Sequence, residues 1–94
     1  QIPLVPNTGM LVEGGIAEQT RQVLNNHLAI LNKVGLDFRH VVKTTVFLTD
    51  LSNFGDFNKV YAEFFTPPAP ARSTVEVRAL PKGALVEVEA VARF

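Results

Sequence analysis

Ninety-four residues, 47% of them hydrophobic, are expected to make one domain (1–94) with enough apolar side chains for a core. Nine basic residues balance nine acidic ones and no basic run exceeds one residue, which argues against nucleic acid as a partner. There is no cysteine, so disulfides, thiolate nucleophiles and thiolate metal sites are excluded, and no apolar run approaches the ~20 residues of a membrane span.

These bounds predict a soluble protein. A chain this short gains from association between copies. The missing cysteines fit a reducing compartment, so the expected location is the cytoplasm, with the mitochondrion as the alternative. The chain starts Gln1-Ile2-Pro3 without a signal-peptide pattern, and its one methionine is Met10. It is therefore expected to be a processed product or a fragment.

Taken in order, Pro3 to Gly9 is dense in turn formers, between short extended pieces at Ile2 to Val5 and Met10 to Val12. Glu13-Gly14-Gly15 leads into a helix from Ile16 to Val34, on which Thr20, Val23, Leu24, His27, Leu28, Leu31 and Val34 recur at helical spacing. No Lys-Ser/Thr follows the glycine pair, so a flexible connection is the better reading than a phosphate cradle. Gly35 suits a left-handed residue after the helix.

Val41 to Thr49 predicts a strand. Asp50 to Asn53 breaks it, with Ser52 or Asn53 as the N-cap of a second helix from Phe54 to Phe65. Phe54, Phe57, Tyr61, Phe64 and Phe65 form its aromatic face, read chiefly as core packing. The proline-rich stretch Thr66 to Ala71 allows only extended chain. Two strands follow, Arg72 to Leu80 and Leu85 to Phe94, joined by a tight hairpin at Pro81-Lys82-Gly83-Ala84. The economical packing is an α+β fold, a mixed sheet covered on one face by two helices.

Alternation on the last strand turns Val86, Val88, Ala90 and Ala92 toward the helices and Glu87 and Glu89 away. Two carboxylates between Leu85 and Val91 mark either a solvated face or a subunit interface where one of them works. Glu76 and Arg78 on the neighbouring strand are expected to pair with them across the ladder. Arg72, opening a strand after rigid prolines, is either a surface arginine or a fork for a carboxylate. His27 reads as a buried, hydrogen-bonded histidine rather than a ligand. His40 has no partner at metal-ligand spacing. Neither Ser52 nor Ser73 sits in a nucleophile elbow, and nicotinamide, flavin and nucleotide fingerprints are absent.

Several strings, in order, resemble the reactive intermediate deaminase family, RidA or YjgF. They are Gln1-Ile2-Pro3, Val42-Lys43-Thr44-Thr45-Val46-Phe47-Leu48, Asp56-Phe57-Asn58 with Tyr61, Pro70-Ala71-Arg72-Ser73-Thr74-Val75-Glu76-Val77, Leu80-Pro81-Lys82-Gly83, and Val86-Glu87-Val88-Glu89-Ala90. The resemblance implies a chorismate-mutase-like fold and homotrimers with clefts between subunits. It implies hydrolysis of 2-aminoacrylate and related 2-imino acids to 2-keto acids and ammonia, without a cofactor or metal. Carried over by position, Arg72 binds the substrate carboxylate and Glu87 handles the catalytic water. Thr74 lines the cleft, and Phe54 and Asn58 match its wall.

Two departures stand out. Family members carry a strand upstream of the position of Gln1, with a Tyr and a Ser-Gly pair, and the residues from Gln1 onward are expected to begin after it. His27 replaces their usual Leu or Val. Two rival readings accompany the deaminase: a module that binds small carboxylates without turnover, and an RNA-directed translation inhibitor or endoribonuclease, which the neutral charge disfavours.

Overall fold

The apolar repeat after Gly15 forms helix α1, Ile16–Lys33, in the computed structural model, which describes residues 1–94. Its buried stripe is Ile16, Gln19, Thr20, Val23, Leu24 and Leu31, the spacing of one helix face. Gly14 has φ +113°, and a Cβ there would lie 2.6 Å from Cγ of Glu18. Only glycine fits, so the glycine pair is a shaped cap rather than the expected flexible connection. Glu18 Oε1 accepts from the Gly15 N–H at 2.8 Å, which puts a carboxylate at the positive end of the helix. At the other end Gly35, φ +78°, follows Val34 as predicted.

The remaining elements are β1 Val41–Leu48, α2 Phe54–Phe64, β2 Ala71–Glu76 and β3 Val86–Ala92, with short 3-10 turns at Phe38–His40, Leu51–Asn53 and Pro81–Gly83. Asp50 caps the entry to α2, because its Oδ1 accepts from the Ser52 N–H at 2.9 Å. Asn53 makes no side-chain cap bond. The 3-10 turn runs directly into α2, so the free N–H groups come earlier than the sequence reading placed them. The proline-rich stretch bends at Pro67 and Pro68 instead of staying extended.

The sheet order is β2-β1-β3, with β2 parallel and β3 antiparallel to β1. Helix α2 supplies the crossover that a parallel pair requires. The expected hairpin between the last two strands does not form. Glu76 and Val86 both lie level with Leu48, so the intervening chain crosses the end of β1. Turn chemistry at Lys82 and Gly83, φ 59° and 73°, sets a local bend and says nothing about which strand lies between. Glu76 and Arg78 are therefore not placed across a ladder from Glu87 and Glu89. Glu76 accepts from the Leu51 N–H instead, at 2.8 Å.

Both helices pack on one sheet face. Val46, Leu48, Val86 and Val88 meet Val23 and Leu24 of α1 and Phe57 of α2 in a fully buried core. Full burial contributes about 1.5–3 kcal/mol for each large apolar side chain. Gln19, also buried, accepts from the Leu85 N–H at 2.8 Å and ties the start of β3 to α1. The opposite face carries Thr45, Phe47, Val75, Glu87, Glu89 and Val91, with Val75 42% and Val91 59% exposed. At the chain start Leu4 bridges Leu11, and Gln1 exchanges two bonds with Val88, of 2.9 and 3.0 Å. No helix is long and apolar enough to cross a membrane.

Candidate active site

Arg72 stands one residue into β2, and its register partner on β1 is Thr44, which is buried. Its side chain thus points to the helix side of the sheet, where α2 receives it. Nη1 donates to Asn58 Oδ1 at 2.7 Å. The guanidinium carbon lies 4.7 Å from the ring centre of Tyr61, 5.2 Å from that of Phe54 and 6.0 Å from that of Phe57. No carboxylate pairs with it; the ion pairs of the chain are made by Arg21, Arg39 and Lys59. A cation held by an amide and three rings keeps most of its N–H fork free for an anion.

The open cleft beside it has a volume of about 350 Å³ and is walled by Asn58, Tyr61, Ala62, Phe65, Ala69, Pro70 and Arg72. Thr74, two residues along β2, has a buried hydroxyl without a hydrogen-bond partner. An unpaired buried hydroxyl is a standing cost to the fold. A smaller hollow of about 200 Å³, between Phe38, Arg39 and the proline loop, holds no comparable free group. Arg39 is bonded there to Asp37, whose carboxyl it holds down at about 2.

Of the residues singled out from sequence, the structure brings Arg72, Asn58 and Phe54 together and sets Thr74 beside them on the same face. Glu87 is elsewhere. It is the register partner of Phe47 and lies on the opposite face of β3, half-buried, with exposed Glu89 two residues on. Tyr61 and Phe57 were read as core, and both are buried, yet they are also rings of the Arg72 cage. Their spacing with Phe54 and Asn58, on one face of α2, is the signal that marks them.

His27 is hydrogen-bonded as expected, though half-buried rather than buried. His27 Nε2 donates to the Val88 carbonyl at 2.7 Å, and burial lowers its pKa, partly offset by that bond. His40 Nδ1 accepts from the Asp37 N–H at 3.1 Å. No group of three His, Cys, Asp or Glu side chains is placed to hold a metal ion.

The family model described as Endoribonuclease L-PSP matches residues 1–94. The chain belongs to the Endoribonuclease L-PSP family. Among curated members, it is 50% identical to Protein DfrA of Myxococcus xanthus, over 98% of this chain and 70% of that protein. It is 48% identical to the human protein named 2-iminobutanoate/2-iminopropanoate deaminase, over 98% of this chain and 67% of that one. RidA from an Antarctic Psychrobacter superposes with TM-score 0.95 at 41% identity, covering 100% of this chain and 76% of that one. The Escherichia coli TdcF structure with bound serine superposes with TM-score 0.90 at 42% identity, covering 98% and 74%. The resemblance to RidA and the two-helix α+β fold are thereby borne out, and mammalian homologues in this L-PSP family carry the name 2-iminobutanoate/2-iminopropanoate deaminase.

Proposed function

We propose that this protein hydrolyses 2-imino and 2-enamino acids such as 2-aminoacrylate to 2-keto acids and ammonia. The observation that carries the proposal is Arg72, a guanidinium without an acidic partner, ordered by Asn58 and aromatic rings at the wall of an open cleft. That arrangement suits a small carboxylate. A family member solved with serine, itself an amino acid, supports the same chemistry, as do the imine deaminase names of relatives 47–48% identical.

The reaction asks little of the protein. The enamine tautomerises to the imine, water adds to the imine carbon, and the carbinolamine collapses, releasing ammonia and leaving the keto acid. Water loses a proton as its oxygen bonds to carbon, and the nitrogen gains protons before it leaves. Arg72 fixes the carboxylate and so orients the adjacent carbon. The free hydroxyl of Thr74 bonds the ligand on the same side. Glu87 holds the water and relays protons, a role worth about 10²–10⁴-fold.

Because Glu87 lies across the sheet from Arg72, the proposal includes assembly. In a homotrimer with clefts between copies, the outer sheet face of one copy supplies Glu87 to the Arg72 cleft of another. The exposed Val75 and Val91 on that face favour burial between copies.

The test is turnover. 2-Aminoacrylate is generated in situ by a PLP-dependent dehydratase, and pyruvate and ammonia release are followed with and without the protein. Acceleration over buffer is expected. Release at the buffer rate, with keto-acid binding intact, would leave a carboxylate-binding module instead.

A further inference from the structure

Arg72 packs its guanidinium against a residue of the cleft wall to which the proposed reaction assigns no chemical step. Its long side chain starts on an edge strand and has ~2 kcal/mol of rotamer entropy to lose when it is ordered. An acidic partner would order it but would also compete with the substrate carboxylate. The contacts around it are neutral instead, and Tyr61 provides the nearest ring, 4.7 Å from the guanidinium carbon.

Tyr61 is itself fixed at both ends. It is 5% exposed, and its hydroxyl shares a 2.8 Å hydrogen bond with that of Thr44, which is fully buried. Its ring stacks on Phe65, 4.5 Å between centres at 26°, and lies 5.4 Å from Phe57. Thr44 is also the strand partner of Arg72. The contacts close a circuit: Arg72 backbone to Thr44 backbone, Thr44 hydroxyl to Tyr61 hydroxyl, Tyr61 ring back to the Arg72 guanidinium. A shift of Tyr61 therefore tilts the plane that presents the fork.

We propose that Tyr61, anchored by Thr44, is the positioning residue for Arg72, holding the guanidinium in its carboxylate-binding orientation without neutralising it. This rests on the reading of Arg72 as the carboxylate site. Losing Tyr61 loosens the fork but leaves Arg72 in place, so the loss should appear chiefly in KM, whereas losing Arg72 itself also costs the orientation of the substrate.

The experiment measures KM and kcat on 2-iminobutanoate, calorimetric binding of 2-oxobutanoate, and melting temperature. The variants are Tyr61→Phe, Tyr61→Leu, Thr44→Val and the double variant Tyr61→Phe/Thr44→Val, with Arg72→Ala as control. Tyr61→Phe should raise KM and the 2-oxobutanoate Kd about threefold, and Tyr61→Leu about tenfold, with kcat within about twofold. The double variant leaves no orphaned hydroxyl, so its melting temperature should recover toward wild type. Its KM should stay raised, because the ring has lost its anchor. If KM and melting temperature recover together, Tyr61 is merely structural and the inference is overturned. Wild-type KM in both Tyr61 variants overturns it too. If Arg72→Ala itself keeps wild-type KM and Kd, the carboxylate reading falls instead.

Discussion

Arg72 and Glu87 lie on opposite faces of one three-stranded sheet, on the two strands that flank β1. Arg72 faces α2, and Glu87 faces away from both helices. A single copy therefore does not present both groups to one small ligand, which is why the proposed reaction includes assembly.

Replacing Arg72 by Ala should remove the carboxylate clamp and leave the fold intact, since no ion pair is broken. The expected loss in kcat/KM is about 3 kcal/mol, more than a hundredfold. Arg72→Lys should recover little, because a point charge replaces a planar fork. Steady-state rates on 2-iminobutanoate check this, with circular dichroism for the fold. Retention of more than about a tenth of the activity in Arg72→Ala is incompatible with the assigned role.

Glu87→Gln should nearly abolish turnover, by about 10²-fold or more, while 2-oxobutanoate still binds. The amide keeps the shape and loses the proton chemistry. Glu89→Gln should be milder, because Glu89 is exposed whereas Glu87 is half-buried. Parallel rate and titration measurements on both variants decide it, and equal losses would remove the distinction.

Thr74→Val tests the unpaired hydroxyl. The isosteric change removes a buried polar atom without a partner. It should stabilise the ligand-free protein by about 1 kcal/mol, a rise of several degrees in melting temperature. It should also weaken 2-oxobutanoate binding by about threefold to tenfold. A fall in melting temperature would show that the hydroxyl is satisfied in solution.

His27 links stability to pH. Its pKa is lowered first by burial, so the folded chain binds the proton more weakly than the unfolded chain, whose value is about 6.5. Stability is then complete above about pH 6.5 and falls as pH drops through that value and the lower folded one. His27→Leu should remove this part of the decline, read as melting temperature between about pH 7 and about pH 5. Identical slopes for both proteins would rule His27 out.

Much of this was legible beforehand. The repeat from Ile16 to Leu31 and the glycine after Val34 fixed α1, and alternation from Val86 to Ala92 assigned the faces of β3 correctly. The face of β2 was not legible. Glu76 and Arg78 are expected beside Glu87 and Glu89 on the outward face, yet Glu76 shares its face with Arg72 and Thr74, level with buried Thr44, Val46 and Leu48, and Val75 is exposed. Period-two reasoning assumes that the apolar side faces the core, and a cation held against α2 by Asn58 and aromatic rings inverts that assumption. Strand order was missed because a local turn does not encode which strand lies between its flanks. The double role of Tyr61 and Phe57 was hidden because a cage wall and a core share one aromatic spacing.

The most direct test is complementation between two inactive variants. Arg72→Ala and Glu87→Gln are co-expressed so that copies mix at random, and imine hydrolysis by the mixed assemblies is compared with each variant alone. If each cleft takes Arg72 from one copy and Glu87 from another, about a quarter of the clefts carry both intact residues. The mixture should then regain about a quarter of wild-type activity. Activity no greater than that of the separate variants, with mixing verified by mass spectrometry, would contradict a cleft shared between copies.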